Sequence, residues 1–209
     1  MASSSVVDHP LVRCHLTQLR DKSTRPAEFR VLVQRLAALL AYEATQDLRT
    51  RPKTAQTPIA KADGAELDQR VGLIPILRAG LGLVDPVLNL IPSAEVWHLG
   101  LYRDETTARP VRYYQKIPES RPVDVALILD PMLATGGSAV AAIETLTNWK
   151  VKQIKLLSIL AATDGIEHVH QSYPDTQIYV CGIDPILNDK KFIVPGLGDA
   201  GDRIFNTLP

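Results

Sequence analysis

Apolar positions along the chain fall into two kinds of pattern. Short runs without polar alternation occupy residues 71–77 (VGLIPIL), 94–101, 123–129, 154–162 and 177–181. Such runs predict strands buried on both faces of a sheet. Between them lie stretches with helical spacing, at 139–149 and 164–173. Nearer the N-terminus, Phe29, Leu32, Val33, Leu36, Leu39, Leu40 and Ala44 form one apolar stripe. Ser23 and Thr24 ahead of Pro26 read as its start signal, and the helix is expected to run to about Asp47. A shorter helix is expected after Pro10. The segment LGLVDPVLNL reads as a helix interrupted or ended near Pro86. Strands alternating with helices predict an α/β fold: a central parallel sheet covered by helices on both faces, with ligands at the carboxyl ends of the strands.

Two segments break the pattern. Residues 49–70 are polar, contain Pro52, Pro58 and Gly64, and read as loop or short irregular strands. Residues 102–122 carry Tyr113, Tyr114, Pro110, Pro118 and Pro122 without a helical stripe. A mobile two-stranded flap serving as a lid is expected there.

Composition narrows the class. The 209 residues suit one domain spanning 1–209. Charges balance at 23 basic and 23 acidic, so neither nucleic acid nor an anionic membrane is an expected partner, and phosphate chemistry has to come from a local site. Cys14 and Cys181 lack metal spacing and read as reduced cytosolic thiols. The N-terminal MASSSVVDHPLV has no secretory pattern and no run suits a bilayer span, so a cytoplasmic location is expected. His9, His15, His98, His168 and His170 show no metal spacing beyond one i, i+2 pair; surface or satisfied structural roles are expected.

Candidate chemistry concentrates in residues 125–138, VALILDPMLATGGS. An apolar strand ends at Asp130. A short stretch, Pro131, Met132, Leu133 and Ala134, follows; then come Thr135, Gly136, Gly137 and Ser138, and then a helix. Paired glycines bring backbone N–H groups near a ligand, and the helix start adds donors and partial positive charge. The hydroxyls of Thr135 and Ser138 can donate as well. Asp130 can accept from two neighbouring hydroxyls, as on a ribose diol. Diol and phosphate at this separation suggest a 5-phosphoribosyl group. The simpler reading is a turn with Ser138 as helix cap. Neither the P-loop nor the G-x-G-x-x-G pattern is present.

ILDPMLATGGS resembles the phosphoribosyl-diphosphate loop of uracil phosphoribosyltransferases. VGLIPILRAGLGLVDPVL resembles that family's second conserved segment and FIVPGLGDAGDRIFNT its C-terminal signature; YEAT (42–45) and LYRDE (101–105) also look like family segments. The resemblance spans nearly the whole chain. It implies conversion of uracil and 5-phospho-α-D-ribose 1-diphosphate (PRPP) to UMP and diphosphate. It also implies a type I phosphoribosyltransferase fold with a small base-binding hood, Mg²⁺ held through PRPP and water, and a homodimer or homotetramer. Some relatives respond to GTP.

By the same resemblance, Arg78, Arg103, residues Asp130 to Ser138 and Asp199 face PRPP, with Arg103 and Asp199 stabilising charge and positioning the donor. Position alone leaves Arg78 even between a diphosphate clamp and a surface arginine, and makes Arg103 a solvated charge. Asp199 also reads as an N-cap for the last helix. Arg109, Arg112 and Lys116 read as a solvated face of the flap. Uracil is expected to be read by main chain: N–H groups near Gly198, Asp199 and Ala200 for its oxygens, and a carbonyl such as that of Ile193 for N3–H. Departures gather at the hood. Lys190, Lys191 and Phe192 stand where a glycine and tyrosine are expected, Pro185 is unusual, and Pro86 replaces a glycine. A phosphoribosyltransferase for another base and a nucleotide-sensing regulatory protein are the alternatives.

Overall fold

The structure is a computed structural model that describes residues 4–103, 110–115, 117–118 and 120–207. In chain order its elements are β1 (Ser4–Val6), α1 (Pro10–Arg20), α2 (Pro26–Ala44), β2 (Thr50–Gln56), β3 (Lys61–Leu67), β4 (Val71–Leu77), a 3-10 turn (Ala79–Leu83) and α3 (Val84–Leu90). Then follow β5 (Glu95–Val96), β6 (Leu99–Arg103), β7 (Pro110–Gln115), β8 (Val125–Leu129), β9 (Met132–Leu133) and α4 (Gly137–Asn148). The chain continues through β10 (Gln153–Ala162), α5 (Thr163–Ser172), β11 (Gln177–Asp184), β12 (Ile186–Leu187), β13 (Ile193–Val194) and α6 (Ala200–Phe205).

The central sheet runs β1-β11-β10-β8-β4-β6-β7, with β5 beside β4 and β9 beside β10. Every pairing in it is parallel except β6 with β7. β8 explains the absence of alternation. Val125, Leu127 and Leu129 pack into one core cluster with α2, while Ala126 and Ile128 pack into the other with α4. A strand covered on both faces places apolar side chains in both directions. α2 buries Phe29, Leu32, Val33, Leu36 and Leu40, the stripe expected from its spacing.

Several sequence expectations need correction. Residues 50–67 form a regular antiparallel hairpin, β2 with β3, registered from Thr50↔Leu67 to Gln56↔Lys61. Both its faces are exposed, so no apolar alternation marked it. Pro86 does not end α3; it lies in the first turn, where its missing N–H would lack an intrahelical partner anyway. The strand expected at 94–101 is split, β5 pairing with the start of β4 and β6 with its end. Ser23 and Thr24 do not cap α2. Ser23 bonds Asp21, Thr24 Oγ1 donates to Gln18 O at the end of α1, and Glu28 Oε2 accepts from Arg25 N at 3.4 Å. β1 had no sequence signal; three residues add to the sheet edge by pairing with Ile178, Tyr179 and Val180. The two-stranded flap expected at 102–122 is present in its described part as β6 paired with β7, and β6 also joins it to β4 at Ile76 and Leu77.

Candidate functional site

β8 and β4, adjacent in the sheet, end at the same edge. β8 delivers Asp130 and β4 delivers Arg78. The turn after β8 is tied to β10 by Asp130 N to Leu157 O (3.2 Å), Ser158 Oγ to Asp130 O (2.6 Å) and Leu160 N to Pro131 O (3.0 Å). β9 extends this tie by pairing Met132 and Leu133 with Leu160 and Ala161. The expected loop between strand and helix is therefore partly a short strand.

Gly136 is the N-cap of α4 and has φ +81°, the left-handed region that favours glycine. A Cβ there would lie 2.8 Å from Gly165 O on α5. Ser138 is thus inside the first turn of α4 and is not its cap. His168, also on α5, places Nδ1 2.7 Å from Thr135 O, a satisfied structural role for that histidine. Asp130, Met132 to Ser138 and Ala139 line a cavity of about 130 Å³ at the start of α4.

Among the described residues the Asp130 side chain is short of donors. Met132 N reaches Oδ1 only at 3.4 Å. Burial pushes the carboxyl up to about 7, with that single bond pulling the other way.

Arg78 follows β4 across a cis Leu77–Arg78 peptide. The next turn passes so close to β8 that a Cβ on Gly80 would lie 2.3 Å from Leu129 O. Arg78 Nη2 donates to Asp202 Oδ1 at 3.1 Å. Asp202 was not singled out in the sequence, and its link to the cleft is this bond to Arg78. Its carboxyl is held below the usual range by the Thr207 hydroxyl at 2.7 Å and, against the effect of burial, by Arg78. The only signal for it was its place in the C-terminal segment.

Asp199 caps α6: its Oδ1 accepts from Asp202 N at 2.9 Å. Ile193, Gly198, Asp199 and Ala200 line a second cavity of about 260 Å³, together with Ala79, Met132, Ala134, Lys190, Lys191, Phe192 and Gly201. β12 and β13 form the antiparallel hood above it, pairing Ile186 with Val194 and Leu187 with Ile193. The hood turn is closed by Lys191 N to Asn188 O (2.7 Å) and Phe192 N to Asn188 Oδ1 (2.9 Å), with Lys191 at φ +63°. Pro185 joins β11 to β12. Met132 and Ala134 line both cavities, so the two are parts of one cleft.

The structure thus gathers Asp130, residues 132–138, Ile193, Gly198, Asp199 and Ala200 in one cleft, with Arg78 at its edge. Arg103 ends β6. The side chains of Arg103 and Arg112, and all of Arg109 and Lys116, lie outside the described residues. Among the described residues no helix is long and apolar enough to cross a membrane.

The family model for uracil phosphoribosyltransferase matches residues 6–207. A uracil phosphoribosyltransferase from Roseiflexus sp. (strain RS-1) is 54% identical, covering 99% of this chain and 100% of that one. One from Dictyoglomus thermophilum is 51% identical over 97% of this chain and 98% of its own length. A solved structure from Aquifex aeolicus superposes with a TM-score of 0.92 at 33% identity, covering 97% and 98% of the two chains. Hypoxanthine phosphoribosyltransferase from Trypanosoma cruzi superposes at a TM-score of 0.51 over 76% and 75% of the chains; at 12% identity this likeness concerns the fold alone. The mostly parallel sheet and its two helical layers are a type I phosphoribosyltransferase fold, and the chain belongs to the uracil phosphoribosyltransferase family.

Proposed function

We propose that the chain converts uracil and PRPP to UMP and diphosphate in pyrimidine salvage. The observation that carries this reading is the shared lining of the two cavities: Met132 and Ala134 join the turn after Asp130 to the loop before α6. One substrate's anomeric carbon can then meet the other's ring nitrogen. In this reading the N–H groups and hydroxyls of 135–138 hold the 5-phosphate. Asp130 accepts from the ribose diol, and Pro131 and Leu133 shape the turn. Arg78 and Arg103 face the diphosphate, with Arg103 stabilising it as it leaves. Asp199 helps to position the donor.

Main-chain groups of Ile193, Gly198 and Ala200 read uracil. Cytosine reverses donor and acceptor at positions 3 and 4 and would leave buried groups unpaired. Displacement at C1′ would run through an oxocarbenium-like state. Positioning and charge stabilisation supply most of the rate.

Mg²⁺ fits the donor set. The carboxylates at the cleft are hard oxygen ligands; Asp199 has one oxygen engaged in the cap, and Asp130 has, among the described residues, the long Met132 bond. Bound through PRPP oxygens and water, Mg²⁺ would neutralise diphosphate charge. We further propose that residues 1–209 act as one domain within a homodimer or homotetramer. The β2–β3 hairpin supports this, since it is exposed on both faces and an isolated two-stranded hairpin is marginal in water. The two free cysteines suit a cytoplasmic setting.

The test is product formation with PRPP, Mg²⁺ and, in separate reactions, uracil, cytosine, hypoxanthine and orotate. UMP from uracil at the highest kcat/KM is expected. Absence of UMP, or faster turnover of another base, contradicts the reading.

A further inference from the structure

The loop from Pro195 to Gly198 is tied to elements remote in sequence. Gly196 has φ +61°, and a Cβ there would lie 2.0 Å from Ile193 O, so the chain turns back tightly on itself. What fixes this turn is an ion pair. Arg20, the last residue of α1, donates from Nη1 to Asp184 Oδ2 and from Nη2 to Asp184 Oδ1, both at 2.7 Å. The same Nη1 donates to Gly196 O at 2.9 Å, and Gly196 N donates to Asp184 Oδ2 at 2.9 Å. Both backbone groups of Gly196 are therefore held by one fork. The side chains are 26% and 6% exposed. Burial opposes the charge on Asp184, yet the Arg20 bonds and the Gly196 N–H hold its carboxyl below the usual range.

A second arginine fixes the next residue. Arg203 Nη1 donates to Leu197 O and to Leu19 O, both at 2.8 Å; Nη2 donates to Asp21 O at 2.6 Å. Its guanidinium lies 4.3 Å from the centre of the Phe29 ring. Leu19, Arg20 and Asp21 are consecutive at the end of α1. That helix end is thus the platform on which the loop rests.

We propose that Arg20 and Asp184 are positioning residues for the base: through Gly196 they set the height of the Gly198 and Ala200 main chain relative to Ile193, and so control uracil affinity. None of Arg20, Asp184 and Arg203 lines the base cavity, so the effect is transmitted by the loop. The inference rests on the reading of this cleft as a uracil site. A lysine at position 20 keeps the charge but loses the planar fork that reaches Asp184 and Gly196 together.

The experiment measures KM for uracil, KM for PRPP, kcat and the thermal midpoint for wild type, Arg20→Ala, Arg20→Lys and Asp184→Asn. Displacement of main-chain donors predicts a rise of about tenfold or more in uracil KM for Arg20→Ala and Asp184→Asn, and a smaller rise for Arg20→Lys. PRPP KM should stay within about twofold of wild type, since Asp130 and its loop are untouched. Arg20→Lys serves if the alanine variant does not fold. Equal rises in both KM values, or no rise in uracil KM, overturn the proposal. Wild-type UMP formation in the same assay separates the two readings: its absence overturns the uracil assignment, whereas a normal wild type with unselective variants overturns only the positioning role.

Discussion

At the donor end of the cleft, a single stretch, residues 125–138, supplies strand, carboxylate, turn and helix start, and its ties go to the neighbouring strand β10 and helix α5. At the base end, the corresponding bonds span 164 to 184 positions, from α1 to β11 and α6. The contrast shows two ways to hold main chain at the wall of a cleft. One is local, with a glycine turn wedged between a strand and a helix. The other borrows rigidity from a remote helix end through two arginines.

Breaking the donor end should give the largest effect. Asp130→Asn removes the charged acceptor, and PRPP affinity should fall about 10–100-fold, the scale of a charge-assisted hydrogen bond. Uracil KM should hold. Titration calorimetry with PRPP and Mg²⁺ checks the affinity. Gly136→Ala comes next. A Cβ at φ +81° and 2.8 Å from Gly165 O should cost about 1–3 kcal/mol, read as a lower thermal midpoint and weaker PRPP binding.

Acidity gives a subtler test. The folded Asp130 carboxyl is raised from 3.8 to about 7, so between those values the folded protein retains a proton that the unfolded chain has lost. Its contribution to stability is fully present below about 3.8 and is lost as pH rises to about 7. PRPP, which favours the ionised form, should bind more tightly over the same window. Asp130→Asn should remove both slopes in denaturant titrations and binding isotherms. The smallest effect belongs to the hood. Lys191 sits at φ +63°, and Lys191→Gly should stabilise by about 0.5 kcal/mol, visible as a slight rise in thermal midpoint.

The same contrast explains what could be read from the sequence. β4 and β8 were legible because burial on both faces leaves an unbroken apolar run, and α2 because one face meets the core. Asp130 and the glycine turn were legible because strand, acid, turn and helix are consecutive. β1 and the β2–β3 hairpin were not, since exposed strands are selected by pairing rather than by a core. Arg20, Asp184, Asp202 and Arg203 escaped for another reason. Each gains its role from a partner brought near only by folding, and a lone charge in sequence looks like a solvated one.

The independence of the two ends is most directly tested by the double variant Asp130→Asn with Arg20→Ala. Without shared partners their effects should add. Uracil KM should match that of Arg20→Ala alone, and PRPP KM that of Asp130→Asn alone. A double variant in which either KM departs from its single-variant value by more than about threefold would contradict the account.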